Sequence, residues 1–257
     1  MPETAADYVF GTHDVHGIPA VSCHQAGVES MPLVLLSHDL FNSKDSWRTE
    51  LQTLAQNRYM AVAMDNRGHG DRKDPALKEQ LFVKGELNLL EVRKLIKETA
   101  DDVPRLIDYF SAKQEIDPAR VGMLGASMGG YAAFRAAAID DRIKVITPII
   151  SSPFWDDLPG DMPFIDRPDL LDDLKRYSRE FSPGFYPERF YPCAVLIQIG
   201  GLDIHLNPER VAMFHSELVT YYRETPEKVA FVVDVNVGHE CTAGMIENAM
   251  NWLRVFL

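Results

Sequence analysis

The chain has 257 residues, enough for one large domain or two small ones, and its 46% apolar and 25% charged composition is that of an ordinary globular protein, not a disordered, collagen-like or disulfide-dense one. Twenty-six lysines and arginines against 38 aspartates and glutamates leave a formal charge of −12, which repels duplex DNA and anionic membranes at long range and argues against nucleic-acid binding. Cys23, Cys193 and Cys241 are odd in number and lack C-x-x-C spacing, so neither a disulfide framework nor a zinc site is expected. The acidic N-terminus has no basic stretch followed by an apolar one, and nowhere do about 18 apolar residues run together. A cytoplasmic protein without a membrane span is the expectation.

Residues 8–11 and 18–24 flank the turn-forming stretch 14–17 and are expected to form an antiparallel hairpin at one edge of a sheet. From residue 33 onward, short aliphatic runs bounded by Gly, Pro, Asp or Asn alternate with amphipathic stretches, the pattern of parallel strands joined by helical crossovers. Strands are expected over 33–38, 60–65, 120–125, 143–150, 194–200 and 229–235, with helices over 46–57, 89–112, 128–138, 208–223 and 242–256. Asn207 followed by Pro208 makes a cap and first-turn pair, and Thr242 caps the last helix. The alternation breaks over 152–192, about forty residues where a crossover needs about a dozen. This stretch is rich in proline, aromatic and acidic residues and predicts a lid or binding loop inserted in a single domain, with one or two short helices over 168–181.

The strongest chemical signal is Gly125-Ala126-Ser127-Met128-Gly129, a G-x-S-x-G sequence placed between a β run and an Ala-rich helix. A serine on so sharp a turn is held in a strained backbone with its hydroxyl exposed at the C-terminal edge of the sheet, and the small neighbours let the chain pass. The following helix directs amide N–H groups and its positive dipole end at the spot where negative charge develops in acyl transfer. A serine needs a base. Of eight histidines, His239 stands on a loop after the last strand, at the same edge as Ser127; His205 is its main competitor. The imidazole in turn needs a carboxylate, for which Asp203 fits after the strand 194–200, with Asp156 or Asp157 in reserve. The chain order Ser, Asp, His follows.

With Ser37-His38-Asp39-Leu40, Asp65-Asn66-Arg67-Gly68-His69-Gly70, Gly201-Leu202-Asp203 and Gly238-His239, the sequence from residue 33 to the end resembles an α/β-hydrolase. More narrowly it resembles bacterial serine carboxylesterases of the dienelactone-hydrolase-like and prolyl-oligopeptidase-like branch. The resemblance implies Ser127 as nucleophile, His239 as base, Asp203 as acid, and an oxyanion hole of the Leu40 and Met128 backbone N–H groups, with Phe41 as the alternative to Leu40. Members commonly have glycine where this chain has Asp39, whose carboxylate is therefore expected to face solvent or a turn partner. The segment 65–70 is expected to serve the turn beside the nucleophile and not to touch substrate.

The implied activity is hydrolysis of a carboxylic ester, a small-molecule partner, with no cofactor; the net negative charge favours a neutral ester of modest size. The serine nucleophile sets the chain apart from thiol-dependent dienelactone hydrolases, and His13, Asp14 and His16 lack a third metal ligand. Phe41, Phe154 and Trp155, followed by Phe164, Phe181, Phe185 and Tyr186, are the expected pocket walls. Two other readings stand beside the esterase. One is a peptidase that binds a substrate ammonium through Asp156, Asp157, Asp161 or Asp166; the other is a catalytically silent ligand receptor of the same fold. Oligomeric state is not encoded in these patterns.

Overall fold

A computed structural model describes residues 7–158 and 164–257; Pro159, Asp161 and Pro163 of the insertion lie outside the described residues. The chain opens with strands β1 (Tyr8–Asp14) and β2 (Pro19–Gln25), followed by β3 (Met31–Ser37), helix α1 (Arg48–Gln56), β4 (Met60–Met64) and the short α2 (Leu77–Leu81). A two-residue-stranded hairpin, β5 (Phe82–Val83) and β6 (Glu86–Leu87), leads into the long α3 (Leu89–Ser111). Then come β7 (Ile116–Ala126), α4 (Met128–Ile139), β8 (Ile143–Ile149), α5 (Pro168–Phe181), β9 (Ala194–Gly200), α6 (Pro208–Tyr221), β10 (Val229–Asp234) and α7 (Ala243–Phe256).

Among the described residues the main sheet has eight strands in the order β1-β2-β4-β3-β7-β8-β9-β10. It is parallel from β4 to β10, and the β1–β2 hairpin joins β4 antiparallel, so the hairpin takes the edge where the sequence predicts it. Both faces are covered. Along β3, Leu33 and Leu35 pack into the core shared with α3, α4 and α6, while Val34 and Leu36 pack into the core shared with α1 and α7. That period of two is why β3 reads as an unbroken apolar run. The contact of α7 with the sheet is close enough that a Cβ on Gly122 would meet Leu253 and Leu257 side chains at 2.9 and 2.8 Å.

The helix ends follow the capping chemistry. Asn207 accepts from the Arg210 N–H with Pro208 in the first turn of α6, and Thr242 Oγ1 accepts from the Met245 N–H at 3.2 Å. Two differences from the expected elements have physical causes. The helix over 46–57 begins as a 3-10 turn, Lys44–Trp47, because the Lys44 N–H is held by Asp65 at 2.8 Å. Strand β7 starts at Ile116 and not at 120, its pairing with β3 jumping in register across Pro118, which cannot donate to the ladder. The insertion carries its helix where expected, as the single 14-residue α5, which packs on α3. No helix of the described residues is long and apolar enough to cross a membrane.

Candidate active site

The C-terminal ends of β3, β7, β9 and β10 lie along one edge of the sheet, where open α/β sheets present their ligand crevices. Ser127 sits between β7 and α4 with φ +49° and ψ −116°, a conformation unfavourable for any residue with a Cβ. The turn is fixed on both sides: the Ser127 N–H donates to the Ile149 carbonyl at 2.9 Å, and its own carbonyl accepts from Tyr131 at 3.0 Å. The flanking glycines are required by contact. A Cβ on Gly125 would stand 2.2 Å from the Gly129 carbonyl oxygen, and one on Gly129 would stand 2.0 Å from that of Ser37, at the end of β3. Gly129→Ala is therefore expected to cost about 3 kcal/mol or more in urea unfolding. Gly244→Ala is its control: the added Cβ meets only Thr242 Oγ1 at 3.8 Å, and an equal loss there would refute the steric account.

Ser127 Oγ lies 2.8 Å from His239 Nε2, and His239 Nδ1 lies 2.7 Å from Asp203 Oδ2. The carboxylate side chain is fully buried, and Asp203 Oδ1 accepts from the His205 N–H at 2.8 Å. With Nδ1–H donating to the carboxylate, Nε2 is the nitrogen left to accept from the serine hydroxyl. The acid and base loops are stitched to each other. Gly201 N–H donates to Asp234 at 2.8 Å, Leu202 N–H to Val237 at 2.9 Å, and a Cβ on Gly200 would fall 2.2 Å from the Gly238 carbonyl oxygen.

His205, the competing base, lies against His239 with ring centroids 4.5 Å apart and the planes tilted by 42°, its Nδ1 3.5 Å from Asp203 Oδ1. Burial, and then the neighbouring His239, lower its pKa. Asp203, His205 and His239 each offer a ligand atom within 4.8 Å of one another, a metal-capable set, but Asp203 and His239 are engaged in the chain to Ser127. Asp156 and Asp157, the reserve acids, are both ion-paired with Arg210 at 2.8 and 2.6 Å. His13 bonds Ser22 Oγ and Asp14 accepts from the Gly17 N–H, so these two serve the hairpin.

Sequence reasoning missed the support of the loop that follows β3. His38, completely buried, accepts from the Asn66 N–H at Nε2 (3.1 Å), so Nδ1 carries the proton and donates to the Asp39 carbonyl at 2.7 Å. Asn66 closes the network by donating to the His38 carbonyl and accepting from Ser37 Oγ. The segment 65–70 thus holds the loop bearing Leu40, while Asp65 accepts from Lys44 and Asp71 and Arg67 grips Asp102. Asp39 takes the turn partner expected of it, accepting from Asn42 Nδ2 at 3.0 Å.

Burial lowers the His38 pKa to about 4 from an ordinary 6.5. Above pH 6.5 both folded and unfolded states hold this ring neutral; between 6.5 and about 4 only the unfolded state binds the proton, so stability falls with falling pH, by about 3 kcal/mol across that window. His38→Gln is expected to be less stable than the parent at pH 7 and to show a shallower loss toward pH 4.5 in urea unfolding. An unchanged slope would remove His38 as a source of it.

A cavity of about 610 Å³ opens at Ser127, lined by Leu40, Met128 and His239 and walled by apolar side chains that include Trp47, Leu87, Val92 and Tyr131. Met128 opens α4, where an amide N–H has no partner within the helix. The expected aromatic walls are a correction. Phe41 is exposed and stacks on Phe82; Phe154 is buried against Phe185, Phe214 and the Arg210 guanidinium; Trp155 is fully buried against Tyr177. None of the three lines the cavity, nor does any other described residue of 152–192. The insertion braces α3 from its flank, and α3 with the residues before it supplies the wall.

The sequence profile of the alpha/beta hydrolase family matches residues 33–235. YitV of Bacillus subtilis (strain 168), which bears the name of an esterase, is 24% identical over 263 residues covering 97% of both chains. Among solved structures, TT1662 from Thermus thermophilus superposes with a TM-score of 0.76 at 20% identity over 97% of this chain and 98% of its own. The acetyl xylan esterase from Paenibacillus sp. R4 gives 0.62 at 20% identity over 100% and 86%. A profile match over most of the chain, joined to this strand order and the Ser127 turn, makes the chain a member of the alpha/beta hydrolase family.

Proposed function

We propose that this chain is a serine hydrolase that opens carboxylic esters through an acyl-enzyme. The observation that carries the proposal is the unbroken hydrogen-bond chain Ser127–His239–Asp203, 2.8 and 2.7 Å, at a cavity. Ser127 Oγ attacks the ester carbonyl as its proton passes to His239 Nε2, and the imidazolium is stabilised by Asp203. The tetrahedral oxyanion is held by the Leu40 and Met128 backbone N–H groups. As it collapses, the alcohol leaves with the proton from His239. Water, deprotonated by the same imidazole, then cleaves the acyl-serine to carboxylic acid and free hydroxyl. Every group in the sequence belongs to the chain, the ester or water.

The peptidase reading loses its most direct support, because Asp156 and Asp157 are both turned to Arg210 and do not line the cavity. Two assays test the proposal. A fluorophosphonate is expected to label Ser127 stoichiometrically, and a series of p-nitrophenyl esters is expected to be cleaved in preference to aminoacyl p-nitroanilides. Cleavage of the anilides alone would hand the site to peptides, and absence of labelling would leave a ligand receptor.

A further inference from the structure

Arg93, on α3, is 5% exposed and lines the same cavity as Ser127. Its Nε donates to the Trp155 carbonyl at 3.0 Å, and its guanidinium lies over the Tyr131 ring, Cζ 4.4 Å from the centroid. These contacts use the Nε edge and one face, with the Tyr131 hydroxyl as a further polar neighbour of the guanidinium. Among the described residues no carboxylate stands within 4.0 Å of Arg93, and none accepts from its Nη1 or Nη2. Asp157 feels the charge but spends its oxygens on Arg210 and Ser152. A guanidinium taken out of water costs several kcal/mol unless its N–H groups find acceptors. Arg67, Arg72, Arg142 and Arg210 all find carboxylates in this protein. Arg93 instead lines the cavity with no carboxylate partner among the described residues.

Resting on the Ser127 reading, we propose that Arg93 is a specificity residue for esters whose acyl portion ends in a carboxylate, that is, half-esters of dicarboxylic acids. The two Nη groups present the parallel N–H pair that a carboxylate accepts bidentately, and a charge-assisted pair in an apolar wall of Leu89, Val92 and Ile96 is stronger than one in water. The cavity's acids oppose this less than their number implies. Asp39 is bonded to Asn42, Glu50 is half-buried and Glu240 exposed; Glu50 rises from α1 and Glu240 precedes α7, across the sheet from α3. The net charge of −12 slows encounter with anions, an effect screened beyond about 8 Å at physiological salt, whereas Arg93 acts on the bound acyl chain. A single terminal carboxylate therefore fits where a doubly charged group does not, and the neutral ester expected from bulk charge gives way to a monoanion.

Calorimetry on Ser127→Ala, which cannot turn the ligands over, tests this with monomethyl malonate, succinate, glutarate and adipate, each against the methyl ester of the monocarboxylic acid of equal length. At least one half-ester is expected to bind about tenfold tighter than its neutral counterpart, as a charge-assisted bond predicts. Adding Arg93→Met is expected to bring that ratio close to one. Should the Met variant not fold, Arg93→Lys, which keeps the charge without the fork, is expected to lose about threefold of the preference. No preference at any length, or a preference that survives both substitutions, overturns the assignment. The two readings fail separately: fluorophosphonate-inert wild-type protein that still prefers half-esters sinks only the Ser127 chemistry, and labelled protein without the preference sinks only the role of Arg93.

Discussion

Ser127→Ala is expected to lower kcat for p-nitrophenyl esters by roughly 10⁴- to 10⁶-fold and to abolish fluorophosphonate labelling, while the unfolding midpoint stays within a few degrees. The size follows from the loss of covalent catalysis: only binding and oxyanion stabilisation remain, and in comparable sites these retain about 10³- to 10⁴-fold over water. The small effect on folding follows from what the hydroxyl touches. Among the described residues Ser127 Oγ bonds His239 alone, whereas the turn itself is held by backbone bonds to Ile149 and Tyr131 that alanine keeps. Activity above about one per cent of the parent in a protein free of wild-type contamination would mean that another group attacks.

Asp203→Asn is expected to lower kcat by about 10⁴-fold, nearly as much as loss of the nucleophile. From the sequence, a second acid at 156 or 157 promises to soften this substitution; the structure removes that relief, since Arg210 holds both carboxylates. The chemistry of the loss is a change of tautomer. An amide NH₂ facing His239 Nδ1 makes that nitrogen an acceptor, so the proton moves to Nε2, which can then no longer take one from Ser127. The variant is expected to fold, because an amide oxygen still accepts from the His205 N–H. A loss of less than about a hundredfold would identify a substitute partner for the imidazole, and His205, 4.5 Å away between ring centroids, is the group to replace next.

What was legible in the sequence is what local chemistry dictates. Strand β9 and helix α5 occupy the predicted bounds because each is a periodic run closed by strong punctuation, Gly200-Gly201 after the one and Pro168 at the start of the other. The Ser127 turn was legible because two glycines, a strand and a helix meet there, and His239 and Asp203 because each stands where a parallel strand ends. Contacts made across the chain were not. Nothing near Asn66 announces that it holds His38 from 28 residues away, and nothing near Gly200 announces the Gly238 carbonyl. The pocket walls failed for a related reason: Phe154 and Trp155 have the composition of a binding surface, but which way a large ring turns is settled by what else packs there. Arg93 offered no signal, since one basic residue among several in an amphipathic helix looks solvated until its surroundings are seen.

The stitched acid and base loops also decide where this chain tolerates a change of length. Strand β10 is an edge strand and His239 hangs from its end, yet the tether to the loop after β9 makes acid and base move as a single piece, joined to the nucleophile's turn by the one bond from Nε2 to Oγ. One extra residue at 201–203 or 235–238 would throw that piece out of step with the serine, whereas the same insertion at 16–17, in the tip of the edge hairpin far along the chain from all three, would be absorbed.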